Sequence, residues 1–93
     1  MDLLKGKVAV VTGAARGIGR AIAERFAQAG ADLALVDLSE GGRQVSEHLT
    51  AQGVRALPFI YDITSTENVE RLVSEALEAW GRIDILVNNA GIV

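Results

Sequence analysis

The chain has no cysteine, a single histidine, a single proline and two lysines. Without cysteine there is no disulfide framework and no thiolate metal site, and the redox compartment stays open. A lone histidine, His48, argues against a histidine-built metal centre; with no nucleophile patterned around it, it reads as a surface residue. Neither sign of charge dominates: 9 basic and 12 acidic residues are scattered to a net charge of −3, which points away from nucleic acid and anionic membranes as partners. The apolar runs fall far short of the ~20 residues that cross a bilayer, and the segment Met1 to Gly6 lacks the apolar core of a secretion signal. A soluble, cytoplasmic protein is the expectation. Hydrophobic residues make up 49%, which argues for a packed globule and against disorder, and 93 residues make one small domain with no room for a second.

What the chain does have is strict alternation. Lys7 to Thr12 is a continuous apolar run, the pattern of a strand buried on both faces. From Gly17 the period becomes helical, with Ile18, Ala21, Ile22, Arg25, Phe26 and Ala29 on one stripe and Gly30 as the stop. Asp32 to Asp37 is a second strand. Ser39 is the expected N-cap of a second helix running to about Gln52, closed by Gly53; Gly41 and Gly42 weaken its first turn. Val54 to Asp62 reads as a third strand, and Pro58 assigns it to a sheet edge because proline cannot donate to a ladder. Thr64 with Glu67 forms an expected capping box for a third helix. That helix carries Val69, Leu72, Val73, Ala76, Leu77 and Trp80 as its apolar stripe, and Gly81 as its end. Ile83 to Val87 is the fourth strand, leading into Asn88-Asn89-Ala90-Gly91.

Strands alternating with helices predict an α/β protein with a parallel sheet and right-handed crossovers. The expected strand order is 3-2-1-4 with three helices, half of a doubly wound Rossmann fold. Two helices would cover one sheet face and the third the other. One helix cannot shield four strands, so an uncovered sheet face and an open strand-four edge are expected to recruit a second copy of the chain.

The chemistry concentrates where the first strand meets the first helix, in Thr12-Gly13-Ala14-Ala15-Arg16-Gly17-Ile18-Gly19. In such a turn Gly13 permits the reversal, Gly17 leaves space for a pyrophosphate over the helix N-terminus, and Gly19 lets the helix approach the sheet. Glycine-rich turns also serve packing alone; here the flanking strand and helix, and an acid at the right distance, favour a nucleotide site. That acid is Asp37, 18 residues past Gly19, at the end of the second strand. Its carboxylate is suited to accept hydrogen bonds from an adenosine ribose diol and to repel a 2′-phosphate, although it could also serve as an ordinary acid before a helix. Arg16 could contact a phosphate, a 2′-phosphate included, but Leu38 offers no second basic group. NAD is preferred over NADP.

Four motifs in register carry a resemblance: the Thr12, Gly13, Gly17, Gly19 pattern; Asp37; Asp62-Ile63; and Asn88-Asn89-Ala90-Gly91. Over essentially its whole length the chain resembles the N-terminal half of a short-chain dehydrogenase/reductase. The resemblance implies that Asp62 and the Ile63 backbone contact adenine and that Asn89, Ala90 and Gly91 lie beside the adenine-side ribose. It also implies that the Ile18 N–H flanks the pyrophosphate and that Thr12 ties the first strand to Asn88-Asn89. Members of the family are about 250 residues long and use a tyrosine, a lysine four residues on and a serine for acid–base chemistry. That set has no match here: the one tyrosine, Tyr61, is followed four places on by Ser65, and Lys5 and Lys7 both precede the glycine turn. Tyr61 reads as a strand aromatic. The expectation is a chain that binds at most the ADP part of NAD and is inactive alone, or a self-assembling half-fold with a structural role and no ligand.

Overall fold

The computed structural model describes residues 2–89. Its elements run β1 (Val8–Thr12), α1 (Gly17–Gln28), β2 (Asp32–Asp37), α2 (Gly41–Ala51), β3 (Ala56–Ile60), α3 (Thr66–Trp80) and β4 (Ile85–Asn88). The sheet is four-stranded and parallel in the order β3-β2-β1-β4, as the alternation predicted. Pro58 stands opposite Leu35 on β3, which pairs with β2 alone among the described strands. There its missing N–H leaves no ladder bond unmade.

Alternate residues of each strand feed two cores. On one face Ala9, Val11, Leu33, Leu35 and Ala56 pack with Ala23 of α1 and with Val45 and Leu49 of α2. On the other, Val10, Ala34, Val36 and Phe59 meet Leu72 of α3, with Trp80 and Ile83 closing the edge. All five residues of β1 are buried, because β1 lies in the middle of the sheet and is covered on both faces.

Several element ends differ from the sequence expectation, each for a local reason. Ser39 does not cap α2: its hydroxyl donates to Asp37 Oδ1 at 3.0 Å, and Glu40 occupies the N-cap with helical dihedrals and no side-chain cap. Donation to Asp37 holds the Ser39 side chain on the acid, and its oxygen accepts no N–H of the first turn of α2. Thr64 does not cap α3 either. It turns back onto Asp62, whose Oδ1 accepts from the Thr64 N–H (2.9 Å) and hydroxyl (2.6 Å), and Ser65 is the N-cap, accepting from the Asn68 N–H at 3.4 Å. That turn at Asp62 is also why β3 stops at Ile60. Strand β4 begins at Ile85 because the Asp84 carboxylate, rather than a strand carbonyl, accepts the Val8 N–H at 2.9 Å. The α3 stripe is wider than its seat: Leu72 and Ala76 are buried, whereas Val69, Val73 and Leu77 stay exposed. Beside them Leu86 of β4 is 67% exposed on the same sheet face, so the shortfall of cover anticipated for one helix over four strands is present.

Candidate functional site

The site forms where the parallel strands end and their connections diverge, the usual crevice for a ligand in an open α/β sheet. The β1–α1 turn supplies its floor. Gly13 (φ 66°) and Gly17 (φ 61°) adopt left-handed conformations that side chains disfavour. At Gly17 nothing lies within 4 Å of where a Cβ would be, so the space above the start of α1 is open. Arg16 is the N-cap in extended conformation, with no side chain capping the helix, and the first turn of α1 contains no acid. The first N–H groups of α1, at Gly17 and Ile18, therefore face that space uncompensated. The Ile18 side chain is 71% exposed beside it.

Gly19 lies beneath the turn. A Cβ there would stand 2.0 Å from the Gly13 carbonyl oxygen and 2.7 Å from Asn89 Nδ2. The close approach is thus to the turn itself and to the strand-four segment. Asn89 Nδ2 donates to the Gly13 carbonyl at 3.3 Å, and the Asn89 N–H donates to Thr12 Oγ1 at 2.9 Å. The Thr12 hydroxyl lies 3.2 Å from the Val87 carbonyl and 3.3 Å from Asn88 Oδ1. Thr12 accordingly joins β1 to Asn88-Asn89. Ala90 and Gly91 lie outside the described residues.

Asp37 is fastened to both neighbouring segments. Its Oδ2 accepts from the Ala15 N–H at 3.0 Å, and its Oδ1 accepts from the Ser39 N–H and hydroxyl, each at 3.0 Å. Burial pushes the carboxyl up, and the Ser39 and Ala15 hydrogen bonds outweigh it, holding Asp37 below its ordinary value. Oδ2, with one donor, is the oxygen with room for another. Asp62 is also held below the ordinary carboxylate value, by the Thr64 hydroxyl and N–H.

A cavity of about 430 Å³ connects these groups. Gly13, Asp37, Asp62 and Ile63, four of the residues singled out in the sequence, line it together with Val36, Leu38, Tyr61, Thr64 and Asn88. Arg16 is the N-cap of α1, Gly17 and Ile18 open its first turn, and Gly19 is buried beneath the glycine turn; none of the four lines the cavity. The sequence did not mark Leu38, Tyr61 or Thr64 as lining residues; the one signal available was an apolar residue type at Leu38, directly after the acid. It also missed the Ala15 N–H that grips Asp37; a backbone donor leaves no trace in residue type. Tyr61, expected as a strand aromatic, lies one residue past β3: its hydroxyl donates to Glu75 Oε1, and the Arg71 guanidinium lies 5.2 Å over its ring, clasping the end of β3 to α3. His48 is exposed, with Gln52 Nε2 3.3 Å from its ring. Among the described residues no three acidic or histidine side chains gather to hold a metal, and no helix is long and apolar enough to cross a membrane.

Comparison with known proteins bears on the family and the fold. The family described as short chain dehydrogenase matches residues 7–93. Oxidoreductase UcpA of Salmonella typhimurium is 44% identical over 92 residues, covering 99% of this chain and 35% of that protein. An NAD-dependent glycerol dehydrogenase of Listeria innocua is 45% identical over 86 residues, covering 92% of this chain and 33% of that protein. Among solved structures, a short-chain dehydrogenase/reductase from Burkholderia phymatum in complex with NAD superposes with a TM-score of 0.92 at 41% identity, covering 99% of this chain and 33% of that one. The chain thus spans about a third of the length of the relatives it matches. With the glycine turn, the strand order and these matches in agreement, the chain belongs to the short-chain dehydrogenase family.

Proposed function

We propose that the chain grips the ADP part of a nicotinamide dinucleotide, NAD in preference to NADP, as the N-terminal portion of a short-chain oxidoreductase. The observation that carries this reading is the Asp37 carboxylate, ionised and fastened at the rim of a cavity that Gly13 of the glycine turn, Asp62 and Ile63 also line. The cavity's volume falls within the ~300–1,000 Å³ of small-molecule sites. Gly17 and the Ile18 N–H would receive the pyrophosphate, with Arg16 near enough in sequence to assist. Asp37 would accept the ribose hydroxyls, and a 2′-phosphate there would meet a fixed negative charge. Asp62 and Ile63 would flank adenine, with Asn89, Ala90 and Gly91 beside the ribose. The bound dinucleotide supplies hydride chemistry in enzymes that use it. In this chain the one tyrosine is engaged by Glu75, and both lysines precede β1, so no turnover by the 93 residues alone is expected.

A second reading rests on the exposed strip formed by Val69, Val73, Leu77 and Leu86. It supports association of two copies through the α3–β4 side, and a half-fold whose role is assembly without a ligand.

Titration calorimetry with NAD, ADP-ribose and NADP separates the two. NAD and ADP-ribose bind more tightly than NADP to the wild type. Asp37→Ala removes charged hydrogen bonds of about 1.5–3 kcal/mol, weakening NAD roughly 10- to 100-fold and narrowing its lead over NADP. Absence of binding by all three ligands, or an Asp37→Ala variant that binds NAD as well as the wild type, overturns the ribose reading.

A further inference from the structure

Two consecutive glycines open α2, where glycine is among the poorest residues for a helix. Backbone conformation does not explain them. Neither Gly41 nor Gly42 has a positive φ, unlike Gly13, Gly17 and Gly81, so an alanine would suit the local dihedrals. Space explains them. A Cβ on Gly42, which is buried, would stand 3.2 Å from the Asp37 Cβ and 3.7 Å from Ile60 Cδ1. A Cβ on Gly41 would stand 3.1 Å from the Ala15 Cβ and 3.3 Å from Ser39 Oγ. Asp37, Ala15 and Ser39 are the acid and the two residues that hold its carboxylate. The glycine pair therefore touches every component of that clasp and no other ligand-facing group.

We propose that Gly41-Gly42 is a positioning element for cofactor choice: by letting the first turn of α2 press against the glycine turn, it sets where the Asp37 carboxylate lies and hence the preference for an unmodified adenosine ribose over a 2′-phosphorylated one. The inference rests on the reading of Asp37 as the ribose acceptor. A Cβ at Gly42 cannot be accommodated without moving Asp37 or the start of α2 by a few tenths of an ångström. Displacements of that order weaken a geometrically defined contact without abolishing binding, because the pyrophosphate grip on α1 is untouched.

The test measures affinity for ADP-ribose and 2′-phospho-ADP-ribose in wild type, Gly42→Ala, Asp37→Ala and the double variant, together with thermal midpoints. Gly42→Ala is expected to lower the ADP-ribose preference by about three- to tenfold, with a thermal midpoint held or raised because alanine favours the helix. In the Asp37→Ala background the same change is expected to leave the preference unaltered, since its route of action is gone. A role confined to helix stability would move the midpoint and leave the preference constant in both backgrounds. If Gly42→Ala does not fold, Gly41→Ala reads the same ratio through Ala15 and Ser39, and loss of folding in both overturns the proposal. An unaltered preference in a folded Gly42→Ala, alongside a changed one in Asp37→Ala, overturns the positioning role alone. An unaltered preference in Asp37→Ala overturns the ribose reading beneath it.

Discussion

At Asp37 two effects oppose each other: burial disfavours the charge, and the donors on Ser39 and Ala15 favour it strongly enough to win. The sign of the consequence follows. A carboxylate held below its ordinary value of 3.8 stabilises the folded chain fully above that value and loses its contribution as pH falls through the lowered folded value. Urea midpoints measured from neutral pH downwards should hold steady and then decline below about pH 4. Asp37→Asn should lower the midpoint at neutral pH and make the decline shallower. Part of the decline should remain, because Asp84, held down by Arg82 and the Val8 N–H, and Asp62, held down by Thr64, titrate in the same direction. A decline of unchanged steepness in Asp37→Asn would show that the clasp does not couple ionisation to the fold. The place of Asp37, at the end of β2 beside the glycine turn, was legible from its distance to the glycines. Its clasp was not, because two of its three donors are main-chain N–H groups, those of Ala15 and Ser39.

Elements were legible where side-chain periodicity dictates them and less so where they end. The apolar run of β1 gave its type and place, and Pro58 assigned β3 to an edge, because a missing N–H has one tolerable position. Periodicity gave the type of α1 but not its buried face, which runs through Gly19, Ile22, Ala23, Phe26 and Ala27 and leaves Ile18, Ala21 and Arg25 of the expected stripe exposed. Helix starts were harder, since neighbouring hydroxyl residues compete for nearby acceptors and donors. Ser39 and Thr64 each turned to an aspartate two residues back, leaving the start of α2 without a side-chain cap and that of α3 to Ser65. The α3 case can be measured. Ser65→Ala removes the acceptor of the Asn68 N–H and should lower unfolding free energy by about 1 kcal/mol. Thr64→Ala, which trims an exposed turn, should cost about 0.5 kcal/mol or less. Denaturant unfolding of the two variants gives the order directly, and a larger loss at Thr64 would restore the capping box expected from the sequence. The two glycines of α2 were visible only as a weakness of the helix. That they make room for Asp37 and Ala15 becomes apparent once the helix is packed against the turn.

Taken whole, the chain is as compact as a self-contained domain of its length, with a radius of gyration of 11.9 Å against about 12 Å expected. Its two faces are nonetheless unequal. Helices α1 and α2 close one side, while α3 alone serves the other and leaves Leu86 at 67% and Val73 at 41% exposure around an apolar hollow of about 270 Å³. Strand β4 pairs with β1 alone among the described strands, so the edge of β4 that adjoins the hollow has no partner among the described residues. Burying apolar surface and pairing a strand edge both favour association, and a two-fold arrangement satisfies both edges at once. The expected outcome is a dimer at high concentration by light scattering, dissociating on dilution. Val73→Glu with Leu86→Lys should yield a monomer whose circular dichroism is unchanged, because both side chains project from the fold and their replacement costs it little. It should also bind ADP-ribose as the wild type does, since neither residue lines the cavity at Asp37. A wild type that stays monomeric throughout the concentration series would remove the assembly reading and leave the nucleotide grip to stand by itself.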